Sequence, residues 1–172
     1  CDGLESITIP TSVTSIGDWA FYSCDGLESI TIPASVTSIG DSAFESCGSL
    51  LAINVDEDNV NYSSIGGVLF NKDQTVLIDC PDGMVGAYEI PQGVISIGDW
   101  AFYWCNRLTS VTIPEGVTSI GFYSFGYCGS LESITIPASV TTIENYAFYF
   151  CDSFSTIRYT GTAEQWSGIA VG

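Results

Sequence analysis

Residues 24–46 read CDGLESITIPASVTSIGDSAFES. Leu27, Ile30 and Ile32 are spaced L-x-x-I-x-I, and the two isoleucines alternate with Ser29 and Thr31, the period of two that marks a half-buried strand. Pro33 ends that strand. A second short strand follows over Val36, Thr37, Ser38 and Ile39, with Val36 and Ile39 as apolar anchors and Gly40 giving the next bend its backbone freedom. Asp41 then caps one turn of helix that carries Ala43, Phe44 and Cys47 on its inner side. Such a unit has too few apolar groups to bury them alone.

The same unit recurs. It reads CDGLESITIPTSVTSIGDWAFYS from Cys1, CNRLTSVTIPEGVTSIGFYSFGY from Cys105 and CGSLESITIPASVTTIENYAFYF from Cys128. Cys1, Cys24 and Cys47 lie 23 residues apart, as do Cys105, Cys128 and Cys151. A fixed period in this range predicts a repeat solenoid, mainly β with short one-turn helices and an inserted β-hairpin. Stacking sets equivalent residues of neighbouring coils about 4.8 Å apart, so the interior becomes ladders of Leu, Ile, Val, Ala, Phe and Cys. Each cysteine ends an apolar turn where a small hydrophobe is wanted, and stacked thiols point in parallel rather than at one another, so free buried thiols are expected. The cysteines form no close pairs and the chain has no histidine, so no metal site and no cofactor are read from them.

The period breaks between Cys47 and Cys105, an interval of 58 residues. Regular coils are therefore expected over 1–49 and 92–153, an expanded coil over 50–91, and a helix–strand segment over 154–172, all within one solenoid. In the expanded coil Leu50, Ile53 and Val55 keep the first-strand anchors, and Tyr62, Ile65 and Gly66 resemble the second strand. Val68 to Phe70, a turn at Asn71 to Gln74, and Thr75 to Cys80 predict a hairpin, carried as a loop or flap on one face. Cys80 stands where an isoleucine of the I-x-I-P ending would stand. Asp56, Glu57 and Asp58 with Asn59 and Asn61 raise a calcium reading, but the glycine and distal glutamate of an EF-hand loop are missing, and a solvated acidic turn is the better account. Near the end, Thr162 to Gln165 read as a capping box opening a short helix with Trp166, then Ile169 to Val171 as a strand.

Composition narrows function. Three basic residues, Lys72, Arg107 and Arg158, face 20 acidic ones, for a formal charge of −17 over 172 residues. A surface so acidic repels phosphate backbones and anionic headgroups, which argues against nucleic acid, and no apolar run is long enough for membrane insertion. The opening cysteine sits mid-unit, so the chain reads as a fragment of a longer protein. An uncovered first coil, carrying Leu4, Ile7 and Ile9, would then support weak end-to-end self-association.

The pattern L-x-x-I-x-I-P-x-x-V-x-x-I-G-x-x-A-F-x-x-C resembles the BspA-type leucine-rich repeat, as do the stretch NYSSIGGVLFNKD and the GTAEQW tail. That resemblance implies a secreted or cell-surface bacterial protein and a role in adhesion to host extracellular matrix or to another cell surface. Phe122 at the usual capping position and Glu144 at the usual glycine depart from the pattern.

Two outward surfaces are candidates. The first strands stack hydroxyls, Ser6, Ser29, Ala52, Ser110, Ser133 and Thr156 in one row and Thr8, Thr31, Asn54, Thr112, Thr135 and Arg158 beside it, a pattern that ordinary exposed sheet also shows. The turns carry an aromatic stripe of Trp19, Tyr22, Trp100, Tyr103, Trp104, Tyr123, Tyr127, Tyr146 and Tyr149, joined by Phe150 and interrupted at Ser42, Glu45 and Gly126. Aromatic side chains anchor protein interfaces and stack on sugars, although rings at this spacing also cover a core wall. The stripe is the preferred binding face. The expected function is a non-catalytic protein-recognition or adhesion module, with a carbohydrate-binding solenoid and a structural spacer as alternatives. An enzyme is disfavoured: without histidine, and with three cations, the chain lacks the usual bases and oxyanion partners.

Overall fold

The computed structural model describes residues 3–172; Cys1, first of the cysteine series, and Asp2 lie outside the described residues. The elements in chain order are β1 (Ser15–Ile16), β2 (Ser29–Ile32), β3 (Ser38–Ile39), β4 (Ala52–Val55), β5 (Tyr62–Ile65), β6 (Val68–Asn71), β7 (Val76–Asp79) and β8 (Gly86–Glu89). They continue with β9 (Ser96–Ile97), β10 (Leu108–Thr112), β11 (Ser119–Ile120), β12 (Ser133–Ile136), β13 (Thr142–Ile143), β14 (Thr156–Tyr159), α1 (Ala163–Ser167) and β15 (Ala170–Val171).

The coils stack in register as the period requires. In β2, Ile30 and Ile32 are buried and Ser29 and Thr31 exposed, the alternation read from sequence. Parallel pairing sets Ser29 opposite Ala52 in β4, Ser110 opposite Ser133 in β12, and Ser133 opposite Thr156 in β14. The second strands pair likewise, Ser119 opposite Ser96 and Thr142. Inside, Phe102, Phe125 and Phe148 stack with centroids 4.7 and 5.4 Å apart and planes within 9°. The repeat solenoid is as expected, and it has almost no helix.

The one-turn helices expected in the regular coils do not form. Residues 18–23, 41–46, 99–104, 122–127 and 145–150 are runs of tight turns, each with two residues at positive φ: Trp19 and Ser23, Ser42 and Ser46, Trp100 and Trp104, Tyr123 and Tyr127, Tyr146 and Phe150. A left-handed residue stops a right-handed helix, and here it turns alternate N–H groups outward along the stack. Thus Trp100, Phe102 and Trp104 donate to Phe122, Ser124 and Gly126 carbonyls of the next coil, and Tyr123, Phe125 and Tyr127 donate to Asn145, Ala147 and Tyr149. These runs form a third backbone ladder beside the two sheets. The aspartates cap across coils as well: Asp41 N–H donates to Asp18 Oδ1 at 3.0 Å and Phe122 N–H to Asp99 Oδ1 at 2.8 Å. The single helix among the described residues, α1, opens on the capping box read from sequence, with Thr162 and Gln165 bonded reciprocally.

The insert is interior rather than a flap. β5 and β6 form a hairpin closed by Gly66 and Gly67 at φ 59° and 83°, and β6 continues antiparallel to β7, which rejoins the stack beside β9. The hairpin read from sequence, Val68–Phe70 against Thr75–Cys80, is β6–β7; Tyr62–Ile65, which resembles a strand of a regular coil, pairs with β6 as well and makes the insert three strands. β6 is buried on both faces, Val68 and Phe70 packing into the C-terminal core and Leu69 into the N-terminal one. An apolar run without alternation is the mark of such a strand. The insert therefore separates two core blocks and divides both sheets. No strand forms at 4–9, so the first sheet starts at β2 among the described residues.

Cys24, Cys47, Cys80, Cys105, Cys128 and Cys151 are free thiols. Cys47, Cys128 and Cys151 Sγ donate to the carbonyls of Phe21, Phe102 and Phe125 at 3.0 Å, which explains a thiol where alanine would pack. Cys105 Sγ donates to Cys80 O, and Cys80 N–H to Ala101 O. Both contacts put Cys80 in the phenylalanine slot of its coil, not the isoleucine slot. Burial pushes the Cys105 and Cys128 thiols well upward, Cys47 to about 12 and Cys151 to about 11.

Candidate binding face

The turn ladder places the aromatic residues. A bulky side chain at positive φ costs about 1–2 kcal/mol where glycine or asparagine would cost little, yet seven of these positions carry Trp19, Trp100, Trp104, Tyr123, Tyr127, Tyr146 and Phe150. Ser23, Ser42 and Ser46 hold the same backbone at φ 52°, 51° and 60°. The turn thus does not need a ring.

Three successive turns build one aromatic platform. Trp104, Tyr127 and Phe150 stack with centroids 5.0 and 5.3 Å apart and planes within 8°. Tyr123 stacks on Tyr146 at 4.9 Å, and Tyr103 and Tyr149 close the gap between the two rows edge-on. Gly126 does not interrupt the platform, because the rings of Tyr103 and Tyr123 occupy the space its missing side chain leaves, within 2.8–2.9 Å of where a Cβ would sit. Phe122, read from sequence only as a departure at a capping position, stands edge-on to Trp100 at 5.7 Å and to Tyr123 at 4.6 Å. Its position immediately before Tyr123 was the signal.

Tyr127 is stacked on both sides, by Trp104 and Phe150, whereas Trp104, Phe150 and Tyr146 end their stacks; these three and Tyr149 remain exposed by 36–55%. Trp19 and Tyr22, exposed by 61% and 51%, stand apart. Between them and the platform lie Ser42 and Glu45 and the expanded coil, which supplies no turn of this kind.

The hydroxyl rows occupy the register read from sequence, but the first sheet is split between β4 and β8, so they form two short lawns. The C-terminal one is a shallow groove with Thr112, Thr135 and Arg158 in line. Asn59 is not a free ligand in the acidic turn: fully buried, it donates to Pro33 and Val36 carbonyls and its Oδ1 accepts from Asn61 and Tyr62. Sequence reading missed this clamp between coils. No cluster of three or more metal-ligating side chains occurs among the described residues, and no helix among them is long and apolar enough to cross a membrane.

Two carboxylates are held under strain where the period breaks. Asp82, 6% exposed, accepts from Cys47 N–H at 3.1 Å; burial pushes its carboxyl up to about 7, against the pull of the Cys47 and Ser46 N–H groups, with Glu45 and Asp25 adding to the rise. Burial, then Asp82 and Glu45, hold Asp79 well above the usual carboxylate range.

The sequence profile described as the BspA type leucine rich repeat region matches six copies, over residues 1–84 and 84–168. No curated protein matches the chain. Among solved structures, the pneumococcal vaccine antigen PcpA is 31% identical with a TM-score of 0.70, over 77% of this chain and 35% of its own. A leucine rich cell surface protein from Faecalibacterium prausnitzii is 31% identical with a TM-score of 0.60, over 95% of this chain and 55% of its own. A leucine-rich repeat protein from Eubacterium ventriosum is 25% identical with a TM-score of 0.64, over 87% of this chain and 53% of its own. The chain thus spans between a third and a little over half of these proteins' lengths.

Proposed function

The chain belongs to the BspA type leucine-rich repeat family, and on that premise we propose that it is a non-catalytic recognition module of a secreted or cell-surface protein that binds a protein partner through the aromatic platform. One observation carries the reading: large aromatic rings occupy strained turn positions that serine fills equally well elsewhere in the chain. The backbone cost of a left-handed residue comes from its Cβ and falls on serine and on a ring alike, so the turn itself selects neither. Stacking contributes about 0.5–1.5 kcal/mol per pair, yet Trp104, Tyr146, Tyr149 and Phe150 stay exposed by 36–55%, an apolar surface that recognition uses and core stability does not need. The surface location accords with the PcpA and Faecalibacterium relatives, described as a vaccine antigen and a cell surface protein.

Ring packing favours protein over carbohydrate. The rings contact one another in a continuous cluster rather than standing apart as separate platforms for sugars, and with their tyrosine hydroxyls they form a mixed apolar and hydrogen-bonding surface of the kind found at interface hot spots. Binding of the chain to extracellular-matrix proteins and to a glycan panel is the test, run beside a Trp104→Ser/Tyr127→Ser/Phe150→Ser variant. Serine keeps the turn, as Ser46 shows. The expected result is a protein ligand lost in the variant at unchanged fold. A glycan ligand, or a protein ligand that the variant still binds, would overturn the assignment, and no ligand in either panel would favour the spacer.

A further inference from the structure

The aromatic platform ends at a cleft that the broken period creates. In a regular stack the turn at 99–104 would follow directly on another full turn, but the expanded coil fills that place only with the short segment around Cys80, and the turn at 41–46 faces the turn at 99–104 across a gap of about 100 Å³. One wall is Glu45; the floor is Asp79 and Asp82; the other wall is Asp99 with Trp100 and Tyr103, the first rings of the platform. Trp100 and Tyr103 make their inter-coil ring contacts only with Phe122, Tyr123 and Tyr127, on the C-terminal side, so towards the cleft they have no aromatic neighbour among the described residues. No lysine or arginine among the described residues lines the cleft. Asp82 is satisfied by backbone N–H groups. Asp79 receives no side-chain hydrogen bond from any described residue, although it lies on the floor and is desolvated.

We propose that this cleft receives a protonated lysine or arginine side chain from the protein that docks on the aromatic platform. The inference rests on the platform reading and adds the partner's chemistry to it. A cation here meets the Glu45 and Asp99 carboxylates on the two walls and aromatic rings beside Asp99, the two environments that hold a desolvated ammonium or guanidinium, and its charge favours release of the proton that burial keeps on Asp79. The available volume fits such a head group, at about 30 Å³ for each water displaced, and not a second folded element. It also relieves the site, because a bound cation gives Asp79 the partner it lacks. The rim of the cleft adjoins Tyr103, which touches Trp104 and Tyr127, so one basic residue flanked by apolar side chains spans both surfaces.

The test is a backbone and indole NMR titration of the full chain at physiological salt with N-acetyl-arginine amide and N-acetyl-lysine amide, and with N-acetyl-norleucine amide and calcium chloride as comparisons. Expected are saturable shifts confined to Glu45–Cys47, Asp79–Gly83 and the Trp100 indole, produced by the two cationic amides alone. A Glu45→Gln/Asp79→Asn variant, which removes buried or half-buried charge and so is expected to fold, weakens the response at least about tenfold, or 1.4 kcal/mol. Glu144→Gln/Glu164→Gln removes the same charge from exposed positions and leaves it unchanged. Diffuse shifts, equal loss in both variants, no response, or a response to calcium alone would each overturn the proposal. The two readings fail separately: Trp104→Ser acts on protein docking without lining the cleft, whereas loss of the amide response leaves docking on the platform untouched.

Discussion

Replacing Asp82 by asparagine should stabilise the protein above neutral pH, against the usual effect of altering a buried polar residue. Asp82 is 6% exposed and its carboxyl stands at about 7, against 3.8 for an ordinary aspartate. At 1.36 kcal/mol per pH unit, that difference corresponds to about 4 kcal/mol of penalty for folding with the charge in place. The sign follows from linkage. The folded chain binds this proton more tightly than the unfolded chain, so between about pH 4 and pH 7 stability falls as pH rises, and above pH 7 the full penalty applies. An amide at this position would carry no charge yet still accept from Cys47 N–H, so Asp82→Asn should gain up to about 4 kcal/mol at pH 8 and converge on the parent near pH 4. The whole chain, at −17, also loses stability with rising pH through general repulsion, so the difference between the two proteins is the quantity to read. Urea unfolding at several pH values measures it, urea being uncharged. A variant less stable at pH 8, or a difference independent of pH, would refute the argument.

The remaining predictions concern the core, the thiols and the N-terminal end. Phe125, fully buried and stacked on both Phe102 and Phe148, should cost about 3–5 kcal/mol when replaced by alanine, and Phe21, half-buried and stacked on Phe44 alone, clearly less; equal losses in denaturant unfolding would contradict the ladder. The buried thiols, among which Cys47, Cys105, Cys128 and Cys151 are raised by burial, should react with a thiol reagent at pH 8 far more slowly in the native protein than in the denatured one, where all seven should titrate; fast native labelling at Cys47 or Cys128 would show that these side chains are not core. Ile7, 37% exposed, lines an apolar depression with Ile9, Val13 and Phe21, and association through it should strengthen from low to moderate salt as the acidic charge is screened; sedimentation that stays monomeric at every salt would remove this surface.

How much the sequence revealed follows from which interactions repeat. The strand anchors, the stacking register and the aromatic stripe were legible because each coil repeats the same spacing, and a period of 23 leaves one register that keeps the anchors Ile30, Ile53, Val111 and Ile134 inside. The turn conformation was not legible. Asp41 followed by Ala43 and Phe44 reads as a capped helix, and nothing local tells that Ser42 and Ser46 are left-handed, because the compensating bonds run to the next coil. Asn59 and Asp82 escaped notice for the same reason: their partners lie in other coils, 23 to 35 residues away.

The platform and the cleft have a common origin in that inter-coil bonding. A perfect solenoid would run its turn ladder unbroken and bury every ring face and every capping carboxylate against the next coil. By inserting β5–β7 as interior strands, the chain keeps both cores covered but omits one turn from the ladder. Carboxylates that would otherwise cap a neighbouring turn are then left facing one another, and Trp100 and Tyr103 lose the neighbours a regular coil would give them. Hence the strain at Asp79 and Asp82 and the open edge of the aromatic platform have one cause. Restoring the missing turn, by replacing residues 50–91 with residues 27–46 followed by 24–33 so that the 58-residue interval from Cys47 to Cys105 becomes two periods of 23, should therefore abolish both together: the pH-dependent instability would disappear, and so would any response to arginine amide. A shortened chain that kept either property would show that it arises elsewhere.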